Sequence, residues 1–234
     1  MVNIVIAGYT AAGKTTHARL LAETMGYETV WAAGLLLEGL GFDVREESQV
    51  WFHRSEEVEL RRSEIAVDLD DYLVARATSE DNLIFDARYL PWAYSSQDIL
   101  RIWLESDLGS RARKCSISLG ATAPSVSECA TSIYRKDLSD VIRVSDIFGV
   151  AYGPDYSLFD IVIDNSCLVL GSSGPDVALG IRRAHAYLAA AIDASLTARS
   201  SCLEDLERAN PKEFNRVVRQ VRCYGASAAA GRSR

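Results

Sequence analysis

The sequence predicts an α/β fold: a five-stranded parallel sheet with helices on both faces. Two observations carry this. Residues 2–15, VNIVIAGYTAAGKT, run from a short apolar strand through a glycine-bearing loop into a helix. Beyond them, four more short apolar runs alternate with stretches of helical spacing, which is the pattern of parallel strands joined by crossover helices.

The elements follow in order. Val2 to Ala7 is the first strand, and Lys14 to Thr24 the first helix, with apolar residues at Ala18, Leu20, Leu21 and Ala22 and a stop at Met25-Gly26. Glu28 to Ala32 is a second strand, followed by a turn at Ala33-Gly34 and a short helix over LLLEGLG. Asp43 to Val50 is polar and predicted as a loop. Ser55 to Thr78 reads as one charged helix with an apolar stripe through Val58, Ile65, Leu69 and Leu73. Asn82 to Phe85, Ile99 to Leu104 and Phe159 to Asp164 supply the third, fourth and fifth strands. A helix from Leu108 into Cys115 precedes a small, polar segment, and a helix resumes near Glu128. Gly174 to about Ala194 is helical, as is Ser201 to Val221, which Asn210-Pro211 interrupts. The last stretch, GASAAAGRSR, has nothing to bury and is expected to be disordered.

The loop carries the chemistry. Gly8 to Thr15 spells G-x-x-x-x-G-K-T, the phosphate-binding P-loop pattern, between strand and helix as its mechanism requires. Gly8 and Gly13 let the chain curl so that the amides of Thr10, Ala11, Ala12, Gly13, Lys14, Thr15 and Thr16 face phosphate oxygens. The helix adds the positive end of its dipole. Lys14 is expected on the β- and γ-phosphates, and the Thr15 hydroxyl on Mg²⁺.

In a parallel sheet, ligands bind beyond the carboxyl ends of the strands. That rule singles out Gly8 to Thr15, Ala33-Gly34, Asp86 to Arg88 and Asp164 to Ser166. Asp86 could hold Mg²⁺ through water, or act as general base toward an acceptor hydroxyl. Arg88, on the same rim, suits a phosphate clamp. Arg111, Arg113, Arg135 and Arg143 flank the small-residue segment and could form a cationic lid that excludes water. The plain alternative for them is a solvated helix pair with ion pairs to Asp137 and Asp140.

The bulk numbers restrict the function classes. The chain has 234 residues, 48% hydrophobic and 24% charged, with a net charge of −7. The acidic balance speaks against nucleic acid as a partner. No apolar stretch is long enough to span a membrane. Five scattered cysteines and a strand in place of a signal peptide predict a cytoplasmic protein with reduced thiols. His17, His53 and His185 have no recognisable partners, and there is no metal-ligand cluster, so the expected metal is the Mg²⁺ that accompanies a nucleotide.

Four stretches resemble the nucleoside monophosphate kinases, and most closely the cytidylate kinases: GYTAAGKTT, LIFDARYL, ILRIWLESDLGSRARK and YRKDLSDVIRVSDIFGVAYGPDYSLFDIVIDNS. The likeness covers about residues 1–195. It implies a P-loop kinase core, a helical acceptor-binding insert at about 34–80, a short lid at about 111–143, ATP as donor and Mg²⁺ as cofactor. A helical extension at 196–223 and a disordered tail at 224–234 lie outside it. By matching position, Lys14, Arg88, Arg111, Arg135 and Arg143 would contact phosphates, with Arg111 on the donor. Two departures stand out. The family pattern glycine-x-x-phenylalanine-arginine becomes Gly34-Leu35-Leu36-Leu37-Glu38, and the middle glycine of the third-strand signature becomes Ala87. Glu38 would repel an acceptor phosphate.

The first expectation is therefore an ATP-dependent phosphotransferase that acts on a pyrimidine nucleoside monophosphate such as CMP or dCMP. The second is a kinase of a hydroxyl on a nucleoside or specialised metabolite, with Asp86 as base. A non-catalytic nucleotide-binding switch is a third class, against which the lid arginines speak. The sequence leaves the oligomeric state open.

Overall fold

The structure, a computed structural model, describes residues 2–46, 50, 57, 58, 61, 66–120, 124–171 and 173–224. The strands are β1 (Asn3–Gly8), β2 (Glu28–Trp31), β3 (Leu83–Asp86), β4 (Ile99–Glu105), β5 (Ile161–Asp164) and β6 (Val218–Val221). The helices are α1 (Lys14–Met25), α2 (Ala32–Gly39), α3 (Ala66–Ser79), α4 (Leu90–Ala93), α5 (Leu108–Ser118), α6 (Val126–Phe148), α7 (Gly174–Thr197), α8 (Ser201–Ala209) and α9 (Pro211–Val217). The sheet order is β2-β3-β1-β4-β5-β6. The first five strands are parallel, and β6 runs antiparallel along the edge of β5.

All of β1 is buried, as befits a strand covered on both faces. Its side chains divide between two cores. Ile4 and Ile6 join Leu21 of α1 and Leu188 and Ile192 of α7. Val5 packs with Leu73 and Ala77 of α3, while Ala7 meets Trp103, Val144, Tyr152 and Phe159. Two buried polar side chains brace the far side of the sheet. Asn3 donates to the carbonyls of Ala77 and Glu80 at 3.2 and 2.7 Å and accepts from the Leu83 amide at 2.9 Å. Arg101 donates to the carbonyls of Pro91, Tyr94 and Ser96.

The sheet has six strands rather than the predicted five. The helix expected to run through Val221 ends at Val217 and gives way to β6. Pro211 starts a new helix, capped by the Asn210 side chain accepting from the Glu213 amide at 3.2 Å. Val217 is then fully buried, and the chain turns onto the open edge of β5. There is no turn at Ala33-Gly34 either. Gly34 lies inside α2, where an added Cβ would stand 2.2 Å from the Trp31 ring. Parts of the predicted loop at 43–50 and helix at 55–78, and the tail from 225, lie outside the described residues.

Candidate active site

The loop after β1 is shaped by its own residues. Gly8 has φ +151, and a Cβ there would sit 2.4 Å from the Leu104 carbonyl oxygen of β4. Ala11 and Gly13 also have positive φ, 60 and 107, which curls the chain into an amide-lined concavity. Gly8→Ala should cost about 2 kcal/mol or more, since overpacking and backbone strain add. A denaturation midpoint equal to wild type would contradict this.

Neighbouring elements hold the curl in place. Asp137 of α6 accepts from the Thr10 amide at 3.0 Å and pairs with Arg111 of α5. Arg111 also donates to the carbonyls of Thr10, at 3.1 Å, and Ser106, at 2.9 Å. Lys114 donates to the Ala12 carbonyl at 3.0 Å, the Ser106 hydroxyl at 3.1 Å and the Asn165 side chain at 3.1 Å, while Asn165 donates to the same Ala12 carbonyl at 2.9 Å. The Tyr152 hydroxyl reaches the Gly8 carbonyl at 2.9 Å. Most of these contacts run to a loop carbonyl or amide, those to Ser106 anchor Arg111 and Lys114 themselves, and together they preorganise the loop.

The reactive side chains converge at its mouth. Lys14 Nζ donates to the Tyr9 carbonyl at 3.0 Å. The Thr15 hydroxyl donates to Asp86 Oδ2 at 2.5 Å. Arg88 pairs with Asp140 of α6, which also accepts from the Tyr89 hydroxyl at 2.8 Å. Thr10 to Thr16, Asp86, Arg88, Lys114 and Lys136 line one cavity of about 450 Å³, together with the apolar Val169, Val177 and Ile181. A smaller pocket of about 50 Å³ adjoins Lys14, Asp86 and Arg88 and is walled by Leu36, Leu69, Asp70, Leu73 and Tyr89. The hydroxyl and carboxylate of Thr15 and Asp86 are hard oxygen ligands on one rim, and this donor set fits Mg²⁺.

Burial pushes the Lys14 ammonium down from 10.5 to about 8, helped by the Arg88 charge. The same cause, with Arg111 as the second, brings Lys114 down to about 7. Lys14 is thus charged below pH 8 in the free protein and loses that charge above it. The expected kcat/KM profile falls as pH rises through about 8, since this ratio reports the free enzyme. A profile flat to pH 9.5 would exclude Lys14 as the ionising group. His17 is pushed to about 3 by burial and by His185, against which it stacks at 5.8 Å, so it stays neutral near pH 7.

The structure brings together Gly8, the loop to Thr16, Asp86, Arg88 and Arg111. It leaves Arg135 outside the cavity, and brings Arg143 only to the edge of the small pocket. Both border a groove along α6 with Leu138, Ile142 and Asp146. Arg143 lies 5.8 Å over the Tyr89 ring, and Arg135 is exposed. Of the ion pairs considered for the lid arginines, Arg111–Asp137 forms, while Asp140 pairs with Arg88, from outside that set. Arg113 donates to the Val169 carbonyl at 2.9 Å and so ties α5 to the chain after β5. Glu38 is exposed on α2 and is not among the residues that line the small pocket. Asp164 pairs with Arg219 of β6 at 2.9 Å and is structural. Lys114, Asn165 and Asp137 are the supports that the motif did not reveal.

No family model matches the chain. Over 176 residues, 70% of this chain and 84% of the relative, it is 31% identical to the cytidylate kinase of Methanopyrus kandleri. The chain belongs to the cytidylate kinase family. The cytidylate kinase of Pyrococcus furiosus is 28% identical over 163 residues, covering 70% of this chain and 79% of that one. An uncharacterized protein from Eubacterium ventriosum of known structure superposes with a TM-score of 0.50 at 14% identity, over 78% of this chain and 96% of its own. That likeness concerns the fold. As a member of this family the chain is a kinase, and its P-loop is the nucleotide-binding element.

Proposed function

We propose that this kinase transfers the γ-phosphoryl group of ATP to a pyrimidine nucleoside monophosphate, with CMP or dCMP as first acceptor. The observation that carries this is the meeting of Lys14, the Thr15–Asp86 pair and Arg88 at the junction of the two pockets. The larger cavity suits the donor, with its triphosphate in the loop and its base against the apolar residues. The smaller pocket, about 50 Å³, marks where the acceptor's phosphate would enter beside Lys14, Asp86 and Arg88; it is too small to enclose the nucleoside.

An acceptor phosphate oxygen attacks the γ-phosphorus, the bond to the β–γ bridging oxygen breaks, and ADP leaves. That oxygen is already ionised, so the step needs no base. The loop amides and Lys14 hold the donor phosphates, and Arg88 offsets charge at the transferring group. Thr15 and Asp86 would hold Mg²⁺, which would neutralise charge on the donor phosphates. The 2.5 Å bond from Thr15 supports the metal role of Asp86 over that of a base. Arg111 acts through Thr10 and Asp137, keeping the loop in shape. Arg143, stacked on Tyr89, steadies the Arg88–Asp140 cluster. A reducing, cytosolic setting suits the five free cysteines.

ADP release from ATP and Mg²⁺, measured against a panel of monophosphates and a panel of free nucleosides, tests this. Turnover led by CMP or dCMP is expected. Turnover with cytidine and none with CMP would replace this reading by that of a hydroxyl kinase.

A further inference from the structure

Helix α6 turns Cys129, Ile133, Lys136, Asp137, Asp140 and Val144 inward. Its outer flank is apolar nonetheless. Tyr134, Leu138, Val141 and Ile142 are 61, 47, 36 and 53% exposed. Of the ten large apolar side chains exposed among the described residues, six lie on this one helix. Thr131, Tyr134, Leu138, Val141, Ser145 and Phe148 follow one another at alternating steps of three and four, which is the spacing of a helix-pairing seam. An exposed apolar stripe of this kind marks an interaction surface.

We propose that two copies of this chain pair through α6, antiparallel about a two-fold axis that passes between residues 139 and 140. The seam is self-complementary in that register. Leu138 meets Val141 of the second copy and Tyr134 meets Ser145, so a large side chain stands opposite a small one at both ends, while Phe148 beyond them packs into its own core. Charge agrees with volume. Arg135 and Asp146, both exposed beside the seam, face each other across it. The arginine stem lies along Ile142 of the second copy and its guanidinium reaches Asp146, once on each side of the axis. An isologous contact requires this reciprocity. Arg135 is then an interface cation, which agrees with its place outside the phosphate cavity.

Sedimentation velocity on the full chain, from low to several hundred micromolar, tests the pairing. Wild type is expected to move reversibly from the 25.7 kDa monomer to a species of twice that mass. Leu138→Glu should remain monomeric throughout, with an unchanged circular dichroism spectrum. If that variant misfolds, Ser145→Arg, which fills the space opposite Tyr134, should give the same result. Asp146→Arg should weaken association roughly tenfold by placing like charges together, and adding Arg135→Asp should restore it. A wild type that is monomeric at every concentration overturns the proposal. So does a dimer that ignores Leu138→Glu and Ser145→Arg, or a charge exchange that fails to restore association.

Discussion

Lys14→Ala should reduce kcat by roughly a hundredfold to a thousandfold, the usual effect of losing one preorganised charge donor at a developing anion. The fold should survive. Lys14 is half-buried, and its one hydrogen bond of note, 3.0 Å to the Tyr9 carbonyl, closes the loop on itself. Removing a buried ammonium also removes the desolvation that holds its pKa near 8, so thermal stability should stay level or rise slightly. Steady-state kinetics together with a melting curve separate the two effects. Unchanged turnover would detach the loop from the reaction, and a collapse of stability would mean that Lys14 is structural.

Asp137→Ala should be the most damaging change to stability near the site. Asp137 and Arg111 are 11 and 8% exposed, and Asp137 also caps the Thr10 amide. Deleting one member of a buried pair leaves its partner charged and uncompensated, which costs about 3–5 kcal/mol. For a chain of 234 residues this lowers Tm by about 10 °C. Asp137→Asn keeps an acceptor for Thr10 but not the charge, and should fall in between. If both variants melt like wild type, Arg111 has another partner and α6 is not what anchors the loop.

How much of this was legible in the sequence depends on the range of the interaction. The P-loop is local: its glycines, lysine and threonine act within eight consecutive residues, so motif and structure agree. The parallel strands are short apolar runs, buried on both faces except at the edge strand β2, and their ends shift by only one or two residues. Strand β6 carries no such signal. Its VRQV stretch follows a helical pattern directly, and becomes a strand only because β5 offers an open edge. The lid arginines show the same limit. Arg111, Arg113, Arg135 and Arg143 look alike as letters, but which one meets Asp137 depends on the helical phase of α6 against α5. That phase turns residues 133, 136, 137, 140 and 144 inward and leaves Arg135 outside. Lys114 and Asn165 hold the loop from 102 and 153 residues away, a distance over which spacing says nothing.

The central claim is a transfer from donor to a nucleotide phosphate through this loop. Its most direct test follows the label from γ-³²P-ATP in the presence of Mg²⁺ and CMP, with products separated by anion-exchange chromatography. Label appearing in CDP in step with ADP, at a rate that falls roughly a hundredfold or more when Lys14→Ala replaces wild type, is the predicted result. Label that passes only to a nucleoside hydroxyl, or only to water as inorganic phosphate, would contradict the account.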